Sequence, residues 1–374
     1  MKKTYLCGKR IMPEPISKEY SITDLVNNSM LAYNGGRIQA ACRLINEKYS
    51  ENDVTIGVSL AGALTPAGLG ASSLVPLIEH GFIDWIVSTG ANMYHDMHFA
   101  LDKCLHQGNH AVNDCELHDK GIVRIYDIFM PQEVLFETDK ALRYILTGKE
   151  FQKEMGTQEF YHLLGKRLND FEEKNNLKGA SILASAYRNN VPVFTSSPGD
   201  STIGMNISFM EQIAGFKLKI NPSIDVAETT AIVLNAKRKG KSAVFLVGGG
   251  SPKNFLLQTE PQIQEILMVP EEGHDYFIQI TDARPDTGGL SGATPSEAVS
   301  WGKVNPESLE NSVIVYSDST IVLPLITAYI LQNSNPKEKK QLYTQKELLI
   351  AELKKETANH NKKHMDKLES MLND

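Results

Sequence analysis

Cysteine is scarce in this chain: four among 374 residues, at Cys7, Cys42, Cys104 and Cys115, with no CxxC pair. Without a disulfide framework or a paired-thiol motif, a reduced, cytoplasmic protein is expected. Long apolar runs are lacking too. No stretch reaches the roughly 18 consecutive apolar residues that a bilayer span needs. The opening MKKTYLCGKRIMPEPISKEY carries charges but no apolar core of leader length, so neither secretion nor a membrane partner is expected. An excess of positive charge is also missing. Lys and Arg number 38 against 45 Asp and Glu, a net charge of -7, which argues against a nucleic-acid partner. Neither internal repeats nor low-complexity tracts interrupt the chain. What remains is ordinary globular composition, 41% hydrophobic and 22% charged, in a chain long enough for two domains or one large α/β unit.

Six short apolar runs stand out, each followed by small or turn residues: VTIGVSL (54–60), FIDWIVS (82–88), VPVFTSS (191–197), SAVFLV (242–247), YFIQIT (276–281) and SVIVYS (312–317). Continuous β-rich runs of this length suit strands buried on both faces. Their alternation with helical patterns predicts an α/β fold with a doubly wound, mostly parallel sheet. Ligands of such sheets bind beyond the carboxyl ends of the strands. Residues 136–178 are helical and charged in pattern. Residues 337–374 space Leu, Ile and Met among many Lys and Glu, which predicts a C-terminal helical extension to a catalytic unit covering 1–336.

Several motifs fall in the loops after these strands. GGGSPKNF (248–255) has three glycines that let a backbone approach phosphate, and Ser251 and Pro252 are suited to N-cap and first helical position. A tight strand-to-helix turn explains the same residues equally well. SLAGALTPAGLG (59–70) and STGAN (88–92) are further small-residue loops. The segment CLHQGNHAVNDCELH (104–118) gathers Cys and His, but its spacing does not match structural zinc, and no metal is expected. In YHDMHFA, His95 suits a polar pocket and His98 a structural role.

The sharpest feature is SGATPSEAVSWGKV (291–304). No other Lys or Arg occurs between Arg284 and Lys303, which follows a Trp-Gly pair, and Asp286 and Glu297 lie in the same segment. A lysine in a partly dry pocket loses its proton readily and attacks carbonyl or imine carbon. Trp301 offers a face to a cation and Glu297 a carboxylate to an amine. The bland reading keeps Trp301 in the core and Lys303 at a helix C-terminus.

SGATPSEAVSWGKV resembles the catalytic segment of the deoxyhypusine synthase family, close to SGARPDEAVSWGK. VSTGAN, HDKGIVRIYDIFMP, NNVPVF before a GDSTIG loop, the GGGxPK loop and YSDSTIVLPL follow the family in order, over roughly residues 20–330. The resemblance implies a Rossmann-like fold and a homotetramer with active sites at dimer interfaces. It implies NAD-linked oxidation of spermidine, and passage of an aminobutyl group through an imine on lysine to a lysine of a translation factor. Lys303 takes the catalytic position, with Glu297 and Trp301 at polyamine-binding positions. Thr89, Gly90, Asp200, Gly248, Gly249, Gly250, Asp282, Ala283 and Asp318 fall at or beside NAD-binding positions. His95 and Asn254 stand where the family has Glu and His in the amine pocket, and Met205 and Leu290 replace two carboxylates. Asp282 and Asp286 are candidates to supply the displaced charge. The expectation is an NAD-dependent alkylamine transferase with an altered polyamine pocket. Its rivals are transfer to a small diamine, as in homospermidine synthesis, an NAD-dependent amine dehydrogenase or lyase, and a non-catalytic NAD-binding homologue.

Overall fold

The computed structural model describes Leu6, Gly8 and residues 10–177 and 179–373. Cys7 and much of the opening segment read for a leader lie outside the described residues.

The apolar runs form six parallel strands: β1 (Val54–Leu60), β2 (Trp85–Ser88), β3 (Val193–Thr195), β4 (Lys241–Val247), β5 (Tyr276–Thr281) and β6 (Ser312–Tyr316). They hydrogen-bond in the order β6-β5-β4-β1-β2-β3. This is the order of doubly wound dinucleotide folds, and the direction of winding reverses between β1 and β4. The fold is therefore α/β with a central parallel sheet, as the alternation of runs and helical patterns predicts.

Each central strand is buried on both faces, and its side chains alternate between two cores. Along β4, Ala243, Phe245 and Val247 join one core while Val244 and Leu246 join the other. The first core packs under helices α1 (Tyr33–Leu44), α2 (Gly90–Ala100) and, later in the chain, α6 (Ser319–Asn333). The second packs under α3 (Pro222–Lys239) and α4 (Gly250–Leu257). Gly57 is needed on β1 because the Trp85 ring of β2 lies across it: a β-carbon there would stand 2.5 Å from the ring.

β2 starts three residues later than its apolar run suggests. Asp84 folds its carboxylate back onto the Ile56 amide at 2.8 Å instead of continuing outward. Likewise β3 covers only the middle of its run, releasing Ser196 and Ser197 into the loop. The helical stretch over 136–178 resolves into two helices, Gln132–Leu146 and Thr157–Asn175, separated at Gly148 and Gly156.

The C-terminal residues run along the edge of the sheet opposite the loops named above. Lys337 is buried there, donating to the carbonyls of Tyr49 at 2.6 Å and Val54 at 3.2 Å. Helix α7 (Lys346–Asn373) then packs Leu349 and Leu353 into the second core and pairs Glu356 with Arg238 and Glu352 with Lys239 of α3. Among the described residues no helix is long and apolar enough to cross a membrane.

Candidate functional site

Because the six strands are parallel, the loops after their carboxyl ends share one edge. The SGATPSEAVSWGK segment enters that edge after β5. Thr294 caps the short helix α5 (Pro295–Ser300) by accepting from the Glu297 amide at 3.2 Å. The helix ends in a Schellman motif: Gly302 N donates to Val299 O at 3.0 Å and Lys303 N to Ala298 O at 2.9 Å. Gly302 sits at φ +64°, and a β-carbon there would lie 2.3 Å from Gln264 Oε1. Gln264 Nε2 donates to Gly302 O at 2.8 Å, and His274 N donates to Lys303 O at 3.1 Å. The Trp-Gly-Lys triplet is thus a helix stop whose glycine fixes the direction in which Lys303 leaves the chain.

Lys303 projects into a cavity of about 410 Å³ bounded by α4, the following turn and α5. Its Nζ donates to Asn254 Oδ1 at 3.0 Å and stands 5.6 Å from the centre of the Trp301 ring. Burial pulls the Lys303 amine below its ordinary pKa, against the opposing charges of Glu297 and Glu265. Leu290, Ala293, Leu257 and Pro261 supply apolar wall. Trp301 is 58% exposed and Leu290 50% exposed, so neither is core, and the bland placement of Trp301 does not hold. Lys303, Trp301, Glu297 and Asn254 line this one cavity.

A second lysine completes this wall. Lys253 is 3% exposed, and its Nζ donates to Gln279 Oε1 at 3.0 Å and Ala293 O at 2.7 Å. Burial, aided by the charge of Lys303, brings its pKa down to about 8 despite Glu297. Gln279 in turn donates to Gly248 O and Ser291 O, both at 2.9 Å. One amide therefore ties the glycine loop, the SGA segment and Lys253 to the middle of β5. Sequence reasoning missed Lys253, Gln279, Gln264 and Glu265. The available signal for Gln279 was a lone amide inside the apolar run YFIQIT; such a buried polar group needs partners.

The glycine loop follows β4 at the winding reversal. Gly248 has φ +81° and Gly250 φ +59°. Gly250 N donates to Ser291 Oγ at 2.9 Å, and a β-carbon on Gly249 would lie 2.4 Å from Ser291 Cα. The helix begins at Gly250, with Gly249 in the cap position. Ser251 is consequently not the N-cap and Pro252 not the first residue. With no side chain to hinder it, the glycine backbone turns into the helix early, and Ser251 instead donates across the edge to Ser196 Oγ at 2.9 Å.

The other candidate positions lie along the same edge. Thr89 caps α2 and donates to Gly62 O at 2.7 Å. Gly90 packs against Ser201, leaving no room for a β-carbon. Asp200 is exposed in the β3 loop, Asp282 is exposed immediately after β5, Ala283 N donates to Thr281 Oγ1 at 3.1 Å, and Asp318 caps α6 after β6.

His95 does not join the cavity around Lys303. It lies in α2, edge-on to Tyr94 and His98 with ring centroids 5.5 and 5.1 Å away, and burial lowers its pKa to about 4. His98 is buried against Thr138 Oγ1 at 2.9 Å, a packing role. Asp286 is exposed and taken by Arg284, whose Nε donates to it at 3.0 Å. Met205 is exposed on helix Thr202–Met210.

A family model described as deoxyhypusine synthase matches residues 24–330. The chain belongs to the deoxyhypusine synthase family. A "Deoxyhypusine synthase-like protein" of Nostoc punctiforme is 52% identical over 350 residues, covering 93% of this chain and 90% of the relative. A "Probable deoxyhypusine synthase 2" of Methanosarcina acetivorans is 38% identical over 315 residues, 83% of this chain and 86% of the relative. Among solved structures, a "putative deoxyhypusine synthase" from Entamoeba histolytica aligns over 88% of this chain and 99% of its own, at TM-score 0.55 and 17% identity. That likeness concerns the fold. The family match stops before Lys337, so the C-terminal residues along the sheet edge and all of α7 fall beyond it.

Proposed function

We propose that this protein is an NAD-dependent transferase that moves an aminobutyl-type group from a polyamine to an amine acceptor through an imine on Lys303. The observation that carries the reading is the Lys303 amine, held by Asn254 beside Trp301 in a cavity whose burial favours its neutral form. A neutral amine is the nucleophile that imine exchange requires.

The strand edge fits a dinucleotide. Gly62 and Gly250 have positive φ with open space where a side chain would project, and hydroxyls of Ser196, Ser197 and Ser251 cluster beside the glycine loop. Thr89, Gly90, Asp200, Gly248, Gly249, Gly250, Asp282, Ala283 and Asp318 would hold it. When bound there, NAD supplies the hydride acceptor for oxidising the donor amine and returns that hydride to the product, so the overall transfer is redox-neutral.

Lys303 then adds to the electrophilic carbon of the oxidised donor. Its nitrogen forms the new C–N bond, the old C–N bond breaks, and the departing amine leaves with a proton. The acceptor amine reverses this exchange at the same carbon. Asn254 Oδ1 accepts one N–H of Lys303 and orients it. Trp301 covers a cationic chain, and Glu297 receives an ammonium. Asn254 and Leu290, uncharged where the family resemblance implies His and a carboxylate, alter the amine preference. The acceptor is either a protein lysine or a small diamine. The assembly is a cytoplasmic homotetramer with shared active sites.

Borohydride trapping tests this. The protein is incubated with NAD and a panel of polyamines, reduced, and analysed by peptide mass. A mass gain on the Lys303 peptide, absent in Lys303→Ala, is the expected result, and its size identifies the fragment. NAD binding without an adduct from any amine refutes the transfer. Steady release of NADH marks a dehydrogenase instead.

A further inference from the structure

Within the lining of the Lys303 cavity the carboxylates are Glu297 and Glu265. Among the described residues, neither has a basic partner within salt-bridge distance. Their surroundings differ. The charge of Glu297 acts on both Lys253 and Lys303, whereas that of Glu265 acts on Lys303 alone. Both carboxylates are exposed and able to receive an added cation, and they differ in what else they border.

Glu265 also lines a second space. A neighbouring groove of about 270 Å³ shares Gln258, Pro261 and Glu265 with the first cavity and is otherwise lined by Thr229, Thr230 and Gln262 among others. Its polar lining is otherwise neutral, offering hydroxyl and amide oxygens as hydrogen-bond acceptors. A cationic chain crossing from the cavity into the groove passes the Glu265 carboxylate.

We infer that Glu265 is a specificity-determining residue: it receives the second ammonium of a linear amine whose reacting end lies at Lys303, and the groove beyond takes the rest of a longer chain. The ligand class is a flexible amine cationic at two or more positions. A monoamine of similar length reaches Lys303 but gains nothing from Glu265. This rests on the transfer reading for the direction in which the amine lies, and it adds the group that selects chain length and charge.

Calorimetric titration of the full-length protein, saturated with NADH so that no hydride can be accepted, with n-butylamine, 1,4-diaminobutane and spermidine tests it without turnover. Wild type is expected to bind spermidine more tightly than butylamine. Glu265→Gln weakens spermidine roughly tenfold, the size of a partly exposed charged hydrogen bond, and butylamine less than twofold. Glu265→Asp recovers part of the difference, which a merely structural defect would not. Equal weakening of all three amines, no weakening, or absence of amine binding by wild type overturns the inference. If the titrations behave as expected but Lys303 acquires no adduct, the transfer reading falls and the role of Glu265 in binding stands.

Discussion

Gly302→Ala is the most direct test of how the chain aims Lys303. Gly302 holds φ +64°, and the two Schellman hydrogen bonds, from Gly302 N and Lys303 N, depend on that conformation. A residue with a β-carbon costs about 1–2 kcal/mol in the left-handed region. The new methyl carbon would start 2.3 Å from Gln264 Oε1. Gln264 must swing away, and its hydrogen bond to Gly302 O is lost with it, a further contribution of about 1 kcal/mol. The expected destabilisation is therefore about 2–3 kcal/mol, within the range found for strained positions. Urea denaturation monitored by far-UV circular dichroism measures it. The same variant should form the Lys303 adduct at least tenfold more slowly, because a misdirected amine loses its approach to the reacting carbon. A variant within 0.5 kcal/mol of wild type, or one with normal trapping kinetics, would refute the claim that the glycine stop positions the lysine.

Other outcomes follow from the titrating groups and from packing. Competitive acetylation should find the Lys303 amine half-labelled at a pH below the ordinary lysine value of 10.5. Removing the opposing charge in Glu297→Gln should lower that pH further; an unchanged profile would remove Glu297 from the cavity's electrostatics. Glu260 is buried, and burial raises its carboxyl pKa from 4.5 to about 8. A carboxyl raised on folding contributes stability that is complete below its unfolded pKa and is lost as pH rises through the folded one. Denaturant midpoints should therefore fall between pH 5 and 9 in wild type and fall less in Glu260→Gln, which stays neutral. Gly57→Ala drives a methyl into the Trp85 ring and should cost about 1–3 kcal/mol, with a shift in the emission of that buried tryptophan. Truncation after residue 336 removes Lys337 from the Tyr49 and Val54 carbonyls and uncovers the α3 face beneath Leu349 and Leu353. The truncated chain should aggregate during size-exclusion chromatography, whereas a monodisperse, fully stable product would make the extension dispensable.

The sheet was readable because fully buried parallel strands leave an unmistakable local mark, and SAVFLV and YFIQIT carry it in six residues each. Strand ends were harder. Asp84 belongs to an apolar run by neighbourhood, yet its side chain bonds back to Ile56, and only the three-dimensional pairing reveals this. The site divides the same way. Lys303, Trp301 and Glu297 lie within seven residues on one motif, so their association was legible. Lys253 and Glu265 are 50 and 38 positions earlier, and nothing local shows that α4 and its following turn fold over the same cavity. His95 illustrates the converse. Its place in a loop-proximal helix suggested a pocket group, but helical periodicity turns the ring toward Tyr94 and His98. Ser251 failed as a cap because the glycines before it form the turn themselves.

The single amide of Gln279 has a consequence for how this edge tolerates change. It grips Gly248, Ser291 and Lys253 at once, so the glycine loop and the lysine-bearing segment share one mechanical reference point. Neither can shift by a fraction of an ångström without dragging the other. Remodelling this cavity for a different ligand is therefore easiest at Glu265, Asn254 or Leu290, which hang from this frame, and hardest at the frame itself. Chemical novelty and structural registration are assigned to different residues of one small pocket.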